Sequence, residues 1–89
     1  MIGRVELELL LRLTEDPADA TWRRTVERGY PSVPRAGEWV YLDDGETESR
    51  TVARVTWTNG GLVKLGFGRI DGDAGFEERL VAFGFTRDE

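Results

Sequence analysis

Apolar and polar residues alternate along the first part of the chain, from Arg4 to Leu13. The odd positions are all apolar, and charged residues occupy most of the even positions. Alternation with a period of two residues is typical of a β-strand that buries one face. Leucine and glutamate favour helix, but a helix would scatter the apolar residues around its circumference. The pattern therefore predicts a first strand, in which Leu10 is the one leucine that faces outward.

The spacing of apolar residues changes after this strand and predicts a helix from about Pro17 to Arg28. Asp16 occupies the N-cap position, proline is favoured at the first helical position, and Gly29 stands where a helix would end. Three apolar residues are spaced by four and so share one helix face: Ala18, Trp22 and Val26. Three arginines lie toward the C-terminal end, where cations suit the helix dipole: Arg23, Arg24 and Arg28.

A second strand is predicted from Gly37 to Leu42. Tyr30 to Pro34 precedes it as an extended link, because each proline keeps the residue before it out of the helical region. The run that follows alternates and is rich in β-forming residues, and Asp43 to Gly45 ends it. Trp39 and Tyr41 alternate with two aliphatic residues, so strand geometry sends both aromatic side chains to one face.

The clearest hairpin extends from Thr51 to Gly68 and turns at Asn59-Gly60-Gly61. A two-residue turn would set apolar residues opposite polar ones. A three-residue loop, which pairs Thr58 with Leu62, gives one wholly apolar face and is the predicted register. That face pairs three residues with three others: Ala53, Val55 and Trp57 with Phe67, Leu65 and Val63. The other face holds Arg54, Thr56, Lys64 and Gly66.

The last predicted element is a short helix from Phe76 to Phe83. Its apolar residues recur at i, i+4 and i+7, Asp73 can cap its first turn, and Gly84 stands where it would end, with Phe85 folding back. A strand from Val81 to Phe85 is the alternative. The order β-α-β-β-β-α predicts a mainly β or α+β domain, built on a small antiparallel sheet with one or two short helices.

Composition indicates one small domain, residues 1–89, and excludes several kinds of chemistry. The chain is 39% hydrophobic and 33% charged, which is too apolar for a disordered segment. It contains no Cys and no His, the usual nucleophiles, general bases and transition-metal ligands. We therefore expect no enzymatic activity and no cofactor. A net charge of −5, without a targeting or membrane-spanning segment, predicts a cytoplasmic protein that is repelled by phosphate backbones and anionic lipids.

Three polar segments could carry chemistry, but a structural role fits each of them better. Asp71 to Glu78 offers oxygen ligands for Ca²⁺, yet Phe76 stands where a calcium-binding loop needs glycine, so a solvated turn and helix cap are favoured. Asp43 to Glu48 is interpreted as a charged hairpin loop. Gly66 to Arg69 lacks the lysine and the spacing of a phosphate-binding loop, so its glycines indicate a bulge or bend in a strand.

Two stretches of the chain resemble an entry pattern of small SH3-like barrels in bacterial and phage proteins: Pro34 to Leu42 and Val52 to Trp57. The resemblance implies a partly open barrel and brings no active-site residues with it. The helix predicted between the first two strands departs from the simplest barrels. An α+β roll or sandwich therefore stays open as an alternative.

Function is inferred by elimination as noncatalytic binding of another protein or of a second copy of the chain. A free sheet edge, the outward Leu10 and an excess of aromatic residues all point that way. The candidate contact residues are Trp39, Tyr41, Leu10, Trp22, Arg23, Arg24 and Arg28. Basic and aromatic residues are concentrated in one segment of the chain, which contains Trp22, Arg23, Arg24, Arg28 and Tyr30. Nucleic-acid binding is therefore the alternative function, and it is less favoured because the chain is acidic. A minimal metal-dependent enzyme ranks third.

In a barrel, Val40 and Leu42 would point inward, and Trp39 and Tyr41 would point outward. The two outward aromatic side chains would then need another part of the molecule, or a partner, to cover them. The predicted helix that carries Trp22 is the favoured cover, because its apolar face needs a surface to pack on. A partner that covers the pair is the alternative.

Overall fold

The computed structural model describes residues 4–13, 19–27 and 32–88. Strands make up most of its regular structure, which confirms the predicted mainly β class. Seven strands and one helix lie within these residues: β1 (Val5–Leu13), β2 (Asp19–Val26), β3 (Trp39–Tyr41), β4 (Ser49–Thr51), β5 (Arg54–Trp57), β6 (Val63–Gly72), α1 (Ala74–Phe83) and β7 (Thr86–Asp88).

The predicted first strand is confirmed as β1, the central strand of a five-stranded sheet with the order β5-β6-β1-β2-β7. β1 pairs antiparallel with β2 and parallel with β6, so the sheet is mixed rather than purely antiparallel. The odd-numbered residues of β1 are buried as far as Leu11, and Leu10 on the opposite face is 37% exposed. The period-two pattern of the sequence is therefore the burial pattern of the strand.

The helix predicted from Pro17 to Arg28 is wrong, because Asp19–Val26 forms strand β2. Trp22 and Val26 are buried as predicted, but a spacing of four residues places side chains on one face of a strand as well as of a helix. Pairing with β1 over eight residue pairs satisfies backbone hydrogen bonds along both strands, which outweighs local propensity. Both ends of the predicted helix lie outside the described residues.

One face of the five-stranded sheet is covered, and the other is open. β3 and β4 form a separate two-stranded sheet, which packs together with α1 on the covered face. The core between these layers includes Leu7, Leu9, Trp22, Val40, Leu42, Val52, Leu65, Phe76 and Leu80. No helix within the described residues has both the length and the apolar character to cross a bilayer.

The predicted hairpin register is confirmed. Val55 lies opposite Leu65, Trp57 lies opposite Val63, and the Thr58 amide donates to the Leu62 carbonyl across the three-residue loop. Not every residue of the apolar face is buried, because the Trp57 side chain is 64% exposed. β5 is an edge strand, so a side chain on its inner face has a neighbouring strand on one side only.

The predicted C-terminal helix is confirmed as α1, and the alternative strand from Val81 to Phe85 does not form. Asp73 accepts a hydrogen bond from the Phe76 amide as its N-cap, and Gly84 ends it in the left-handed conformation. Phe85 folds back and is buried. The sequence did not predict β7, the edge strand that follows and pairs with β2, so the observed order is β-β-β-β-β-β-α-β.

Candidate interaction site

The outer face of the β3–β4 hairpin carries two exposed aromatic side chains. Trp39 is 70% exposed and Tyr41 is 46% exposed. Trp39 pairs with Thr51, and Tyr41 pairs with Ser49, so all four side chains share this face. We call these four residues the aromatic surface. The hydroxyl side chains supply polar groups beside the two rings.

The inner face of the same hairpin is fixed to helix α1. The Glu48 carboxylate binds the Arg50 guanidinium at 2.7 Å and the Arg79 guanidinium at 3.3 Å. Both guanidinium groups also lie over the Phe76 ring, at 5.4 and 5.1 Å from its centre. Val40 is buried between the two aromatic residues of β3. The aromatic surface therefore stands on a hairpin that is braced from behind.

Arg24 ties the end of β3 to the five-stranded sheet. Its guanidinium donates to the Leu42 carbonyl oxygen at 2.6 Å and to the Asp44 carboxylate at 2.8 Å. The Arg24 side chain is mostly buried, so its bond to the Leu42 carbonyl is partly shielded from solvent, whereas the Asp44 carboxylate is exposed. Arg24 was predicted to contact a partner, and the structure instead places it as a support for the hairpin.

Asp43 organises the loop that joins β3 to β4. Its carboxylate accepts hydrogen bonds from the amides of Thr47 and Glu48 and from the Thr47 hydroxyl, at 2.7 to 3.2 Å. Burial by itself raises the pKa of Asp43, but the hydrogen bonds from Thr47 and Glu48 outweigh it and hold the pKa below its ordinary value. The interpretation of this segment as a hairpin loop is confirmed, with Asp43 as its internal acceptor.

We expect Asp43→Asn to destabilise the fold by about 1 kcal/mol at neutral pH, because a charged acceptor is lost from the loop. The pKa of Asp43 is lower in the folded protein than in the unfolded chain. The stabilisation by its carboxylate is therefore complete above the unfolded pKa of 3.8 and is lost as the pH falls through the folded pKa. The gap between wild type and variant should therefore close below about pH 4. Urea melts from pH 7 to pH 2.5 measure it, with the exposed Glu78→Gln as the control for one lost carboxylate.

Arg23 joins three strands on the open face of the five-stranded sheet. Its Nε lies 2.8 Å from Glu8 and 3.3 Å from Glu6, and its Nη1 binds Asp88 of β7. The hydrogen bond with Glu8, together with the charges of Asp88, Glu8 and Glu6, raises the pKa of Arg23. Glu6 Oε1 is buried and makes no hydrogen bond to the described residues despite its closeness to Arg23. Arg23 is thus occupied by acidic neighbours within the chain.

The predicted contact residues do not form one site. Trp39 and Tyr41 lie together on the aromatic surface, while Leu10 is exposed on the open face of the larger sheet. Trp22 is 4% exposed, so it belongs to the core and cannot present its ring to a partner. Arg28 and Tyr30 lie outside the described residues. The helix that was predicted to cover the aromatic pair does not exist.

A groove of about 230 Å³ on the open face was not predicted as a site. Its lining includes Arg54, Lys64 and Gly66, which the hairpin register had already placed on one face. Arg69 lies on the same face of the sheet, opposite Leu10, because the pairing of β6 with β1 shifts at Gly68, which adopts a positive φ of 75°. The predicted bulge at these glycines is confirmed, and its consequence for Arg69 could not be foreseen.

Within residues 4–13, 19–27 and 32–88, no group of three or more acidic side chains is placed to hold a metal ion. No protein-family model, no curated protein and no solved structure matches the chain.

Proposed function

We propose that this domain is a noncatalytic interaction module that binds another protein through the aromatic surface. The proposal depends on one observation: Trp39 and Tyr41 are exposed side by side on a hairpin whose inner face is buried. Tryptophan and tyrosine are the residues that most often dominate the binding energy of protein interfaces. An adjacent exposed pair on so small a domain is a better anchor than scattered apolar side chains.

The way the hairpin is held also favours binding. Glu48 bridges two arginines on the inner face, and Arg24 fixes the end of β3 from the opposite side. A surface that is already ordered loses little conformational entropy when a partner binds. Ser49 and Thr51 give the partner hydrogen-bonding groups next to the rings. The aromatic surface thus combines an apolar centre with polar neighbours.

We also propose that the domain has the architecture of an SH3-like barrel, on the basis of the resemblance described above. The two stretches that carry it include β3 and β5, and β4 runs almost directly into β5. A partly open barrel of this kind would present the aromatic surface on its outside. The support is by analogy of architecture, and the case for binding is made by the exposed aromatic residues.

Nucleic-acid binding was suggested by a concentration of basic and aromatic residues, and the described members of that concentration are engaged within the domain. Trp22 is buried, Arg23 binds acidic side chains of β1 and β7, and Arg24 binds the β3–β4 loop. Stacking and phosphate binding need exposed rings beside free cations. A metal-dependent enzyme, the third hypothesis, has no arrangement of described residues in its favour.

Trp39→Ala is expected to weaken partner binding by about 2 kcal/mol, roughly thirtyfold, because it removes the larger aromatic anchor. The melting temperature should change by no more than a few degrees, since the side chain is mostly exposed. The partner is first captured by cross-linking in cells that express the domain. Its affinity for wild type, Trp39→Ala and Tyr41→Ala is then measured by calorimetry with purified proteins.

Trp57→Ala is the matched control, because it also removes an exposed tryptophan but lies on a different strand. It should bind the partner as wild type does. Analytical ultracentrifugation shows whether the captured partner is a second copy of the chain. Equal affinity of wild type and Trp39→Ala for the partner would remove the support for this surface.

A further inference from the structure

Two cations flank a glycine on the open face of the five-stranded sheet. Arg54 of β5 lies opposite Gly66 of β6, and Lys64 is the preceding residue of β6 on the same face. Because Gly66 has no side chain, these residues border the groove described above. The bulge at Gly68 brings a further cation, Arg69, to the same face of the sheet, opposite Leu10. We call Arg54, Lys64 and Gly66 the cationic groove.

The charges of the cationic groove are not neutralised by the rest of the described chain. Every ion pair formed within residues 4–13, 19–27 and 32–88 uses other cations. Glu8 also lines the groove, but its carboxylate is held by Arg23 at 2.8 Å on the far side. The groove therefore carries a local excess of positive charge in a chain whose net charge is −5.

The groove lies beside the edge of β5, along which no other described strand pairs. The Thr58 amide bonds to the Leu62 carbonyl, so the hydrogen-bonded pairs of this hairpin fall at even positions of β5. Val55 and Trp57 then direct their amide and carbonyl groups away from β6, toward solvent. β5 also lacks proline and carries one charged residue, so little protects its edge.

We propose that an extended acidic peptide segment of a second partner, different from the protein bound at the aromatic surface, pairs with the edge of β5. Its backbone would bond to Val55 and Trp57, and alternate side chains would point to the two faces of the sheet. Carboxylates on the open face would reach Arg54 and Lys64, and apolar side chains on the other face would cover the Trp57 ring. Backbone pairing gives this site its affinity, and the cations select acidic segments.

Two other occupants fit the same surface less well. A second copy of the chain paired through β5 would bring Arg54 and threonines to the groove, and no carboxylate. A nucleic acid would meet acidic side chains of β1, β6 and β7 on this face, and within the described part of the sheet no aromatic side chain faces that way for stacking. A short acidic strand paired with β5 would place its charge beside Arg54 and Lys64.

The test is NMR titration of the intact domain with a blocked hexapeptide of alternating valine and glutamate. The amide signals of Val55 and Trp57 should shift most. Arg54→Glu and Lys64→Glu should each weaken binding by about tenfold or more, because an attractive contact becomes repulsive. The control Arg87→Glu, exposed on β7 at the far edge of the sheet, should bind the peptide as wild type does.

Further probes separate the proposal from its alternatives. The same peptide with N-methyl groups along one edge should not bind, and a valine–lysine peptide should bind at least about tenfold more weakly. Stronger binding of oligothymidylate than of the acidic peptide, or concentration-dependent pairing of copies through β5, would overturn the proposal, as would unchanged affinity in Arg54→Glu. Trp39→Ala should leave peptide binding intact, so failure here is distinguishable from failure at the aromatic surface.

Discussion

Trp22→Ala is expected to lower the free energy of unfolding by about 3–5 kcal/mol, whereas Trp57→Ala leaves it close to the wild-type value. The Trp22 side chain is 4% exposed and lies in the core between the sheet and the covering layer. Removal of a buried aromatic side chain costs about 3–5 kcal/mol, which is most of the stability that a domain of this size has. Trp57 is 64% exposed, so its loss should cost about 1 kcal/mol or less.

Guanidinium denaturation followed by far-UV circular dichroism measures both variants. The contrast between two substitutions of the same residue type separates burial from side-chain chemistry. If Trp57→Ala were as destabilising as Trp22→Ala, β5 would have to be covered on its inner face. That result would contradict the exposure of the Trp57 side chain.

Gly72→Ala is expected to destabilise the fold by about 1–3 kcal/mol, while Gly66→Ala is tolerated. A Cβ atom at Gly72 would lie 2.8 Å from the Phe76 ring and 3.1 Å from Leu11. Both neighbours are buried, so neither can move away without disturbing the contact between α1 and β1. A Cβ atom at Gly66 would meet its nearest neighbour, in Arg54, at an ordinary 3.6 Å.

Thermal melts of the two glycine variants provide the measurement. Gly66→Ala should melt within a few degrees of wild type or slightly higher, because alanine restricts the unfolded chain more than glycine does. A melting temperature for Gly72→Ala equal to that of wild type would mean that the start of α1 is not packed against β1 as described.

Several elements were predictable because one local signal determined each of them. β1 follows from apolar residues at every odd position over nine residues, and α1 follows from a capping aspartate, an apolar spacing and a terminal glycine. The hairpin register followed from a requirement that apolar residues share one face. In each case the pattern and the required backbone conformation agreed without help from distant parts of the chain.

β2 could not be predicted from local signals because they favoured the wrong structure. The apolar positions Trp22 and Val26 suit a strand and a helix equally well, and the residues before them resemble a helix start. What decides the conformation is pairing with β1, a contact between segments that the local pattern does not describe. β7 was missed for the same reason, since three exposed residues become a strand only by pairing with β2.

The candidate site was predictable in part. Alternation along β3 placed Trp39 and Tyr41 on one face. Whether they are exposed depended on the helix that was predicted to cover them, and that segment forms strand β2 instead. The hairpin register placed Arg54 and Lys64 on a common face, and the cationic groove still escaped notice. A further cation, Arg69, reaches the same face through the bulge at Gly68; the glycines predicted a bulge or bend there, but not which face the residues after it would occupy.

The most direct test of the proposed function is the solvent exposure of Trp39, measured by fluorine NMR on protein labelled with 5-fluorotryptophan. The three tryptophan signals can be assigned with single Trp→Phe variants. In the isolated monomer, a soluble paramagnetic agent should broaden the signals of Trp39 and Trp57 and spare that of Trp22. The captured partner should then protect Trp39 and leave Trp57 accessible. Protection of Trp39 in the isolated monomer, or unchanged broadening of its signal in the complex, would contradict the assignment of the aromatic surface as the binding site.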